Sequence, residues 1–223
     1  MSAVQLTLLT PGRGLVAGVD EAGRGPLAGP VVAGAVVLNP RRRIDGVRDS
    51  KIVPEEEREE LAIKIRARSL AWAVAWADPG EIDALNILEA THLAMRRALA
   101  GLHVRLGHVQ IDGNRCPHLS GLAFDFTMEP IIDGDALHAN IGAASIIAKV
   151  TRDAMMRLHH VQYPGYGFAS HKGYSTDEHW HALKRLGPTP IHRRSFEPVR
   201  LAWQRQTRRE RRVARLQSSL ASC

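Results

Sequence analysis

The run LVAGVDEAGRGPLAGPVVAGAVVL, residues 15–38, constrains this chain more than any other stretch. Apolar residues 15–19 lead directly into two adjacent carboxylates, Asp20 and Glu21. Gly23, Arg24, Gly25 and Pro26 then turn the chain, and a second apolar run covers residues 31–38. The pattern reads as strand, charged strand end, tight turn, strand. Carboxylates beside an apolar strand are costly to bury without a cation or hydrogen-bond donors. A divalent metal site accounts for them, and so does a solvated hairpin; this stretch alone does not separate the two. A dinucleotide-binding turn is excluded, because Pro26 and Pro30 break the helix that such a turn must open.

The second run alternates poorly, as a strand covered on both faces does. Two further apolar stubs end in acids: residues 108–111 run into Asp112, and Ile131-Ile132 into Asp133-Gly134-Asp135. Between them, residues 122–128 suit a short hairpin. Pro54 and three consecutive glutamates signal a helix that reaches Arg68. A strand follows over 69–76, with Trp72 and Trp76 on one face. One helix is expected over 81–100, closed by Gly101. Residues 137–159 carry Ala143, Ile147, Val150, Ala154 and Leu158 on one stripe. Small residues there, Ala143, Ala144, Ser145 and Ala148, let that helix come close to a sheet. A last short helix is expected over 177–186, capped by Ser175 or Thr176, with Glu178 completing a capping box on Ser175.

At 223 residues and 44% hydrophobic, the chain suits one large domain with a small appendage. The expected division is a core over 1–160, a small helical subdomain over 161–200 and a basic tail over 201–223. Two cysteines, Cys116 and Cys223, make no disulfide framework and fit a reducing, cytoplasmic setting. No run reaches transmembrane length, and the first residues lack the features of a signal peptide. Net charge is +7, and residues 193–215, with nine arginines and two glutamates, contribute all of it. A basic tail on a near-neutral body suits a polyanion, nucleic acid first, or serves as a solvated helix end. For residues 205–215 a helix with Val213 and Leu216 on one side, DNA contact and disorder are all open.

If the three stubs neighbour one another in a sheet, Asp20, Asp112 and Asp135 converge at one end of it. Glu21 joins from beside Asp20, although adjacent strand residues point to opposite faces. Oxygen donors without cysteine or histidine suit a hard ion, Mg²⁺ or Mn²⁺. Two such ions about 4 Å apart activate water and stabilise the leaving oxygen in phosphodiester hydrolysis. The competing reading is that Asp112-Gly113 and Asp133-Gly134-Asp135 are ordinary turn acids. The scattered histidines lack the ligand spacing of a zinc site.

The opening run resembles the signature VDEAGRGPLAGPV of bacterial type 2 ribonuclease H enzymes. Residues 112–117 resemble that family's DGNRCP element, and Gly134-Asp135 with residues 143–153 resemble its GD…AASILAKVTRD. The YGF, HKGY and HRRSF elements are similar to residues 166–168, 171–174 and 192–196. The resemblance implies an α/β ribonuclease H-like fold: a five-stranded mixed sheet flanked by helices, with a helical carboxy-terminal subdomain. It implies metal-binding, catalytic roles for Asp20, Glu21, Asp112 and Asp135. It implies that Gly23, Arg24 and Gly25 read the ribose at an RNA–DNA junction and that Tyr174 stacks on the deoxyribose beyond it. Lys51, Lys149, Lys172, Arg193 and Arg194 are candidate phosphate contacts, which position rather than specify. Lys149 and Arg152 pairing instead with Asp153 or Glu129 is the alternative.

The implied activity is metal-dependent cleavage of RNA in RNA–DNA hybrids and 5′ of single ribonucleotides in duplex DNA, by a monomer with no membrane partner. A hybrid nuclease without single-ribonucleotide preference and a non-catalytic binding module are the alternatives. Two departures lie beside the site. Asp133 stands where the family often has lysine, offering a competing acid for Asp135, and residues 117–130 look longer than usual.

Overall fold

A computed structural model describes residues 14–47, 53–119 and 126–221. Five strands form one sheet in the order β3-β2-β1-β4-β5. They are β1 (Leu15–Ala22), β2 (Val31–Val37), β3 (Ala71–Ala77), β4 (Leu106–Asp112) and β5 (Thr127–Ile131). β1, β2 and β3 pair antiparallel, while β4 and β5 join parallel to β1, so the sheet is mixed as expected. Every residue of β2 is buried, which explains its lack of alternation: helices cover both faces.

On one face lies α3 (Ile87–Ala100). Its Ala94, Met95, Ala98 and Leu99 pack against Ala17, Val19, Ala33, Ala35, Val109 and Ile111. On the other lie α1 (Glu55–Arg68) and α5 (Ala139–Gln162), whose Leu61, Ile65, Ala143, Ala144 and Ile147 enclose Val36. α5 sits close because the strands beneath it carry glycine. A Cβ on Gly18 would fall 2.2 Å from the backbone of Asn140, and one on Gly34 would fall 2.5 Å from the Ala144 carbonyl. Asn140 then bridges two strands, accepting from Leu38 N–H at 2.9 Å and donating to Val16 O at 3.3 Å.

Local structure departs from expectation at three places. The single helix over 81–100 is two, α2 (Pro79–Leu85) and α3, because Asn86 takes a left-handed φ of 73°. Its Oδ1 accepts from Leu88 and Glu89 N–H, so Asn86 ends one helix and caps the next. The hairpin expected over 122–128 falls partly on residues 122–125, outside the described residues, while residues 127–131 form a parallel edge strand. In α7 (Asp177–Leu186) the cap is Thr176, whose hydroxyl accepts from His179 N–H; no side-chain cap is recorded from Ser175. Trp72 and Trp76 do share one face, and both are exposed at the sheet edge.

Beyond the sheet, the far half of α5 meets Tyr166, Phe168, Ala182 and Ile191, packed around Ala28 and Met156. α4 (Gly134–Leu137) and α6 (Phe168–His171) are single turns. α8 (Glu197–Ala221) is anchored by Val199 against Leu27 and Leu183. Both expected unit boundaries, after 160 and after 200, fall inside helices, α5 and α8. No helix of the described residues is long and apolar enough to cross a membrane.

The fit of α5 on the sheet makes a prediction. Gly34→Val forces a branched side chain against the α5 backbone and costs about 3 kcal/mol or more, a fall of about 6–12 °C in Tm by differential scanning fluorimetry.

Candidate active site

Parallel pairing of β1 with β4 sets Val19 opposite Ile111, so Asp20 and Asp112 leave neighbouring strands at the same end of the sheet. β5 pairs Ile131 with Asp112, and the chain turns at once into α4, which carries Asp135 in its first turn. Gly134 N–H donates to Asp112 Oδ1 at 2.8 Å, tying the two acid-bearing segments together. Asp133 is exposed and left-handed, at φ 54°, whereas Asp135 is buried. The two acids of this turn thus stand in different environments.

Asp20 shares a strand face with Gly18, toward α5, where the Ser145 hydroxyl hydrogen-bonds to its carboxylate. Its Oδ1 also accepts from Glu21 N–H at 2.6 Å. Burial raises the Asp20 carboxyl well above its usual range, and the charges of Glu21 and Asp112 raise it further; the Ser145 and Glu21 hydrogen bonds oppose this. Glu21 points away from Asp20. Burial raises it too, against the nearby Arg24, whose Nη1 lies 3.3 Å from Glu21 Oε1. Among the described residues, no three His, Cys, Asp or Glu side chains converge as a preassembled metal cage. The donors themselves are all carboxylate oxygens, and burial with mutual repulsion rewards a hard divalent cation among them.

Immediately after Glu21, the chain makes its turn. Gly23 has φ 95°, and a Cβ there would fall 1.9 Å from Arg152 Nε. Both conditions require glycine. The turn is held from beneath by two buried arginines. Arg193 donates to the carbonyls of Gly23 (2.5 Å), Arg24 (2.8 Å) and Gly29 (2.9 Å). Arg152 donates to Pro30 O (3.0 Å), Ala28 O (3.2 Å) and Lys172 O (3.0 Å). Backbone bonds complete the attachment: Leu27 N–H to Gly173 O, Arg193 N–H to Leu27 O and Gly29 N–H to Ile191 O, each 2.9 Å. Tyr174 is consequently seated beside the turn. Its ring lies 3.9 Å from where a Gly25 Cβ would be, and 44% of the residue is exposed.

The candidate phosphate contacts divide sharply. Arg193 is fully buried, and each of its three guanidinium nitrogens meets a carbonyl. Lys172 is nearly buried, with Nζ on Ala169 O and Glu55. Lys149 pairs with Asp153 at 2.8 Å, the alternative stated for it, and burial lowers its pKa. Arg24 is half exposed. Arg194 is exposed, its guanidinium 4.2 Å above the Trp203 ring. Lys51 lies outside the described residues. Sequence reasoning missed Ser145, read as a small packing residue, and Arg152, read as a possible ion-pair partner. Both lie on α5, seven residues apart and off the stripe of Ala143, Ile147, Val150, Ala154 and Leu158, where periodicity gives no sign of them.

The carbonyl clamp of Arg193 is testable. Arg193→Lys replaces a planar fork by one ammonium that cannot reach three carbonyls, leaving buried acceptors unmet. We expect a loss of about 2 kcal/mol or more, or about 4–8 °C in Tm.

The chain matches the family described as Ribonuclease HII over residues 17–204. Ribonuclease HII of Dechloromonas aromatica is 56% identical over 186 residues, covering 83% of this chain and 92% of that protein. The crystal structure of ribonuclease H2 from Pyrococcus horikoshii superposes with a TM-score of 0.73 at 32% identity, over 85% of this chain and 97% of that one. That of Bst-RNase HIII in complex with Mn²⁺ superposes with a TM-score of 0.71 over 88% of this chain and 71% of that one, a likeness of fold at 19% identity. With the sheet order, the acids at its end and the matched length all in agreement, the chain belongs to the ribonuclease HII family.

Proposed function

We propose that this chain is an endonuclease that hydrolyses the RNA strand of RNA–DNA hybrids. It also cuts 5′ of single ribonucleotides in duplex DNA, leaving 3′-OH and 5′-phosphate ends. The observation that carries the finer part is the seating of Tyr174 beside Gly25, about 150 residues away in sequence: its ring lies 3.9 Å from where a Gly25 Cβ would be.

Asp20, Glu21, Asp112 and Asp135 would hold Mg²⁺ or Mn²⁺, and a pair of such ions supplies a hydroxide nucleophile and neutralises charge on the leaving oxygen. The all-carboxylate donor set, buried and mutually repelling, supports a hard divalent ion there. The remaining work belongs to the protein. Backbone groups of Gly23, Arg24 and Gly25 approach the ribose, with no Cβ at Gly23 or Gly25 in the way, and hydrogen-bond its 2′-OH, which distinguishes RNA from DNA. Arg24 and Arg194, the exposed cations among the described members of the predicted set, meet phosphates and position the duplex. The exposed face of Tyr174 stacks on the next sugar, a deoxyribose, and so favours a ribonucleotide followed by DNA. The free thiol of Cys116 supports a reducing, cytoplasmic setting.

A duplex carrying one ribonucleotide, incubated with protein and Mg²⁺ or Mn²⁺, should be cut once, 5′ of that nucleotide. Asp20→Asn should reduce the rate by at least about 10²–10³-fold, as loss of a group supporting transition-state charge does. Uncut substrate, or undiminished cutting by Asp20→Asn, defeats the assignment. In Tyr174→Ala, kcat/KM on the single-ribonucleotide duplex should fall about tenfold relative to a continuous hybrid, the scale of one lost stacking contact.

A further inference from the structure

Three histidines, His171, which opens the HKGY segment, with His179 and His192, lie buried side by side, 8 and 13 residues apart in sequence and unused by the chemistry above. The rings of His171 and His179 stack, with centroids 4.5 Å apart and an interplanar angle of 11°. His179 and His192 meet at 5.2 Å, and Phe168 packs edge-on to His179. Sequence analysis saw only scattered histidines.

Their hydrogen bonds determine every tautomer. His192 Nδ1 accepts from Thr189 N–H at 2.9 Å, so its proton is on Nε2. That Nε2–H faces His179 Nε2 at 3.0 Å, which must therefore accept. His179 then carries its proton on Nδ1 and donates to Tyr174 O at 2.9 Å. His171 is likewise committed: Nδ1 accepts from Gly173 N–H at 3.1 Å and Nε2–H donates to Tyr166 O at 2.6 Å. A fully buried group with both ring nitrogens engaged has no proton to offer a substrate. Burial and the neighbouring rings push His192 down to about 3, and burial lowers His179, so these two rings stay neutral and the chain keeps one direction at working pH.

The direction ends at Tyr174. Its carbonyl accepts from His179 and from Thr176 N–H, and its own N–H donates to His171 O. Both peptide groups of the exposed tyrosine are thus held by the histidine cluster and the turn above it. The other side is held by Arg152, under the ring at 5.8 Å, and by the Gly173 carbonyl on Leu27 N–H.

We propose that His179, oriented by His192, is a positioning residue that sets where the Tyr174 ring meets the sugar beyond the scissile ribonucleotide, and thereby sets the preference for RNA–DNA junctions over continuous RNA. This rests on the reading of Tyr174 under Proposed function. The cluster touches no substrate. It acts by fixing a backbone from which a half-exposed ring projects, and fixing it with directional bonds rather than with packing alone.

The test is the ratio of kcat/KM on a duplex with one ribonucleotide to that on a continuous RNA–DNA hybrid, for wild type, Tyr174→Ala, His179→Phe, His179→Asn and the double variant of Tyr174→Ala with His179→Phe. His179→Phe should lower the ratio about tenfold, as Tyr174→Ala does. His179→Asn, whose carboxamide reaches as far as Nδ1 and donates to the same carbonyl, should retain most of it. The double variant should show no further loss, since the two changes remove one contact. A purely structural role for His179 would lower both rates together and leave the ratio unchanged, and that result overturns the proposal; so does additive loss in the double variant. If Tyr174→Ala leaves the ratio at the wild-type value, the reading of Tyr174 falls and this proposal with it, whereas a loss in Tyr174→Ala without one in His179→Phe overturns the proposal alone. Side-chain ¹⁵N NMR of the wild-type protein provides an arm that needs no variant to fold. His179 should be protonated on Nδ1, with His171 and His192 protonated on Nε2, and the opposite tautomer at His179 overturns the proposal.

Discussion

Two buried guanidinium groups hold up the segment that joins β1 to β2. Residues 23–30 cross from the acid-bearing strand end to the next strand with no sheet partner for most of their peptide groups. Carbonyls in such a place need donors, because an unmet buried acceptor costs about 1–3 kcal/mol. Arg193 and Arg152 supply six donations, to Gly23, Arg24, Gly29, Pro30, Ala28 and Lys172. Arginine suits this work: its donors lie in one plane with fixed directions, and it keeps its proton under almost any conditions. Burial lowers both groups, and the charge of Arg152 lowers Arg193 further, a cost that the carbonyl dipoles offset.

The consequences run through the whole site. Because Arg152 comes from α5 and Arg193 from the chain before α8, the turn after Asp20 and Glu21 cannot move without moving elements that begin about 130 and 170 residues later. The same Arg152 reaches Lys172 O, so the HKGY segment is locked to the turn, and Tyr174 comes to lie beside Gly25. The acids are supported differently. They stand at the ends of neighbouring strands, held by Ser145 and by Gly134 N–H, with their repulsion only partly answered by Arg24. Rigid support of the glycine turn by two buried arginines and crowded carboxylates at the strand ends are the two halves of the arrangement.

Much of the fold was legible because periodicity reports burial. β2 lacks alternation and is covered on both faces; α7 runs from Asp177 to Leu186 as its caps announce; Ala143, Ala144 and Ala148 let α5 lie close to the sheet. The errors have local causes. Asn86 sits inside a faultless helical pattern, and only its left-handed backbone shows that it ends one helix and starts another. The strand at 127–131 contains Pro130 and Glu129, which read as a loop; it survives as an edge strand, where such residues are tolerated. Basic residues were the least legible class. Arg193, Lys172 and Lys149 look like phosphate contacts in a string of letters, yet their charges are directed inward at carbonyls and carboxylates.

By itself the sequence determined the residue types available to the site: four acids next to apolar stubs, a glycine turn, and an aromatic in a basic loop. It also determined the family, since those motifs recur in one order along most of the chain. Only the tertiary structure decided which of these groups meet. The register of β1 on β4 sets Asp20 beside Asp112, a parallel pairing of segments about 90 residues apart. The backbone at Asp133 leaves that acid in solvent and puts Asp135 inside. The packing of α7 against the segment that follows it turned His192 and His179 into one directed chain ending at Tyr174. The physical reason is the same in each case. Composition and spacing encode what a residue can do, but hydrogen-bond direction, burial and charge pairing depend on neighbours that are distant in sequence, and those exist only once the chain has closed on itself.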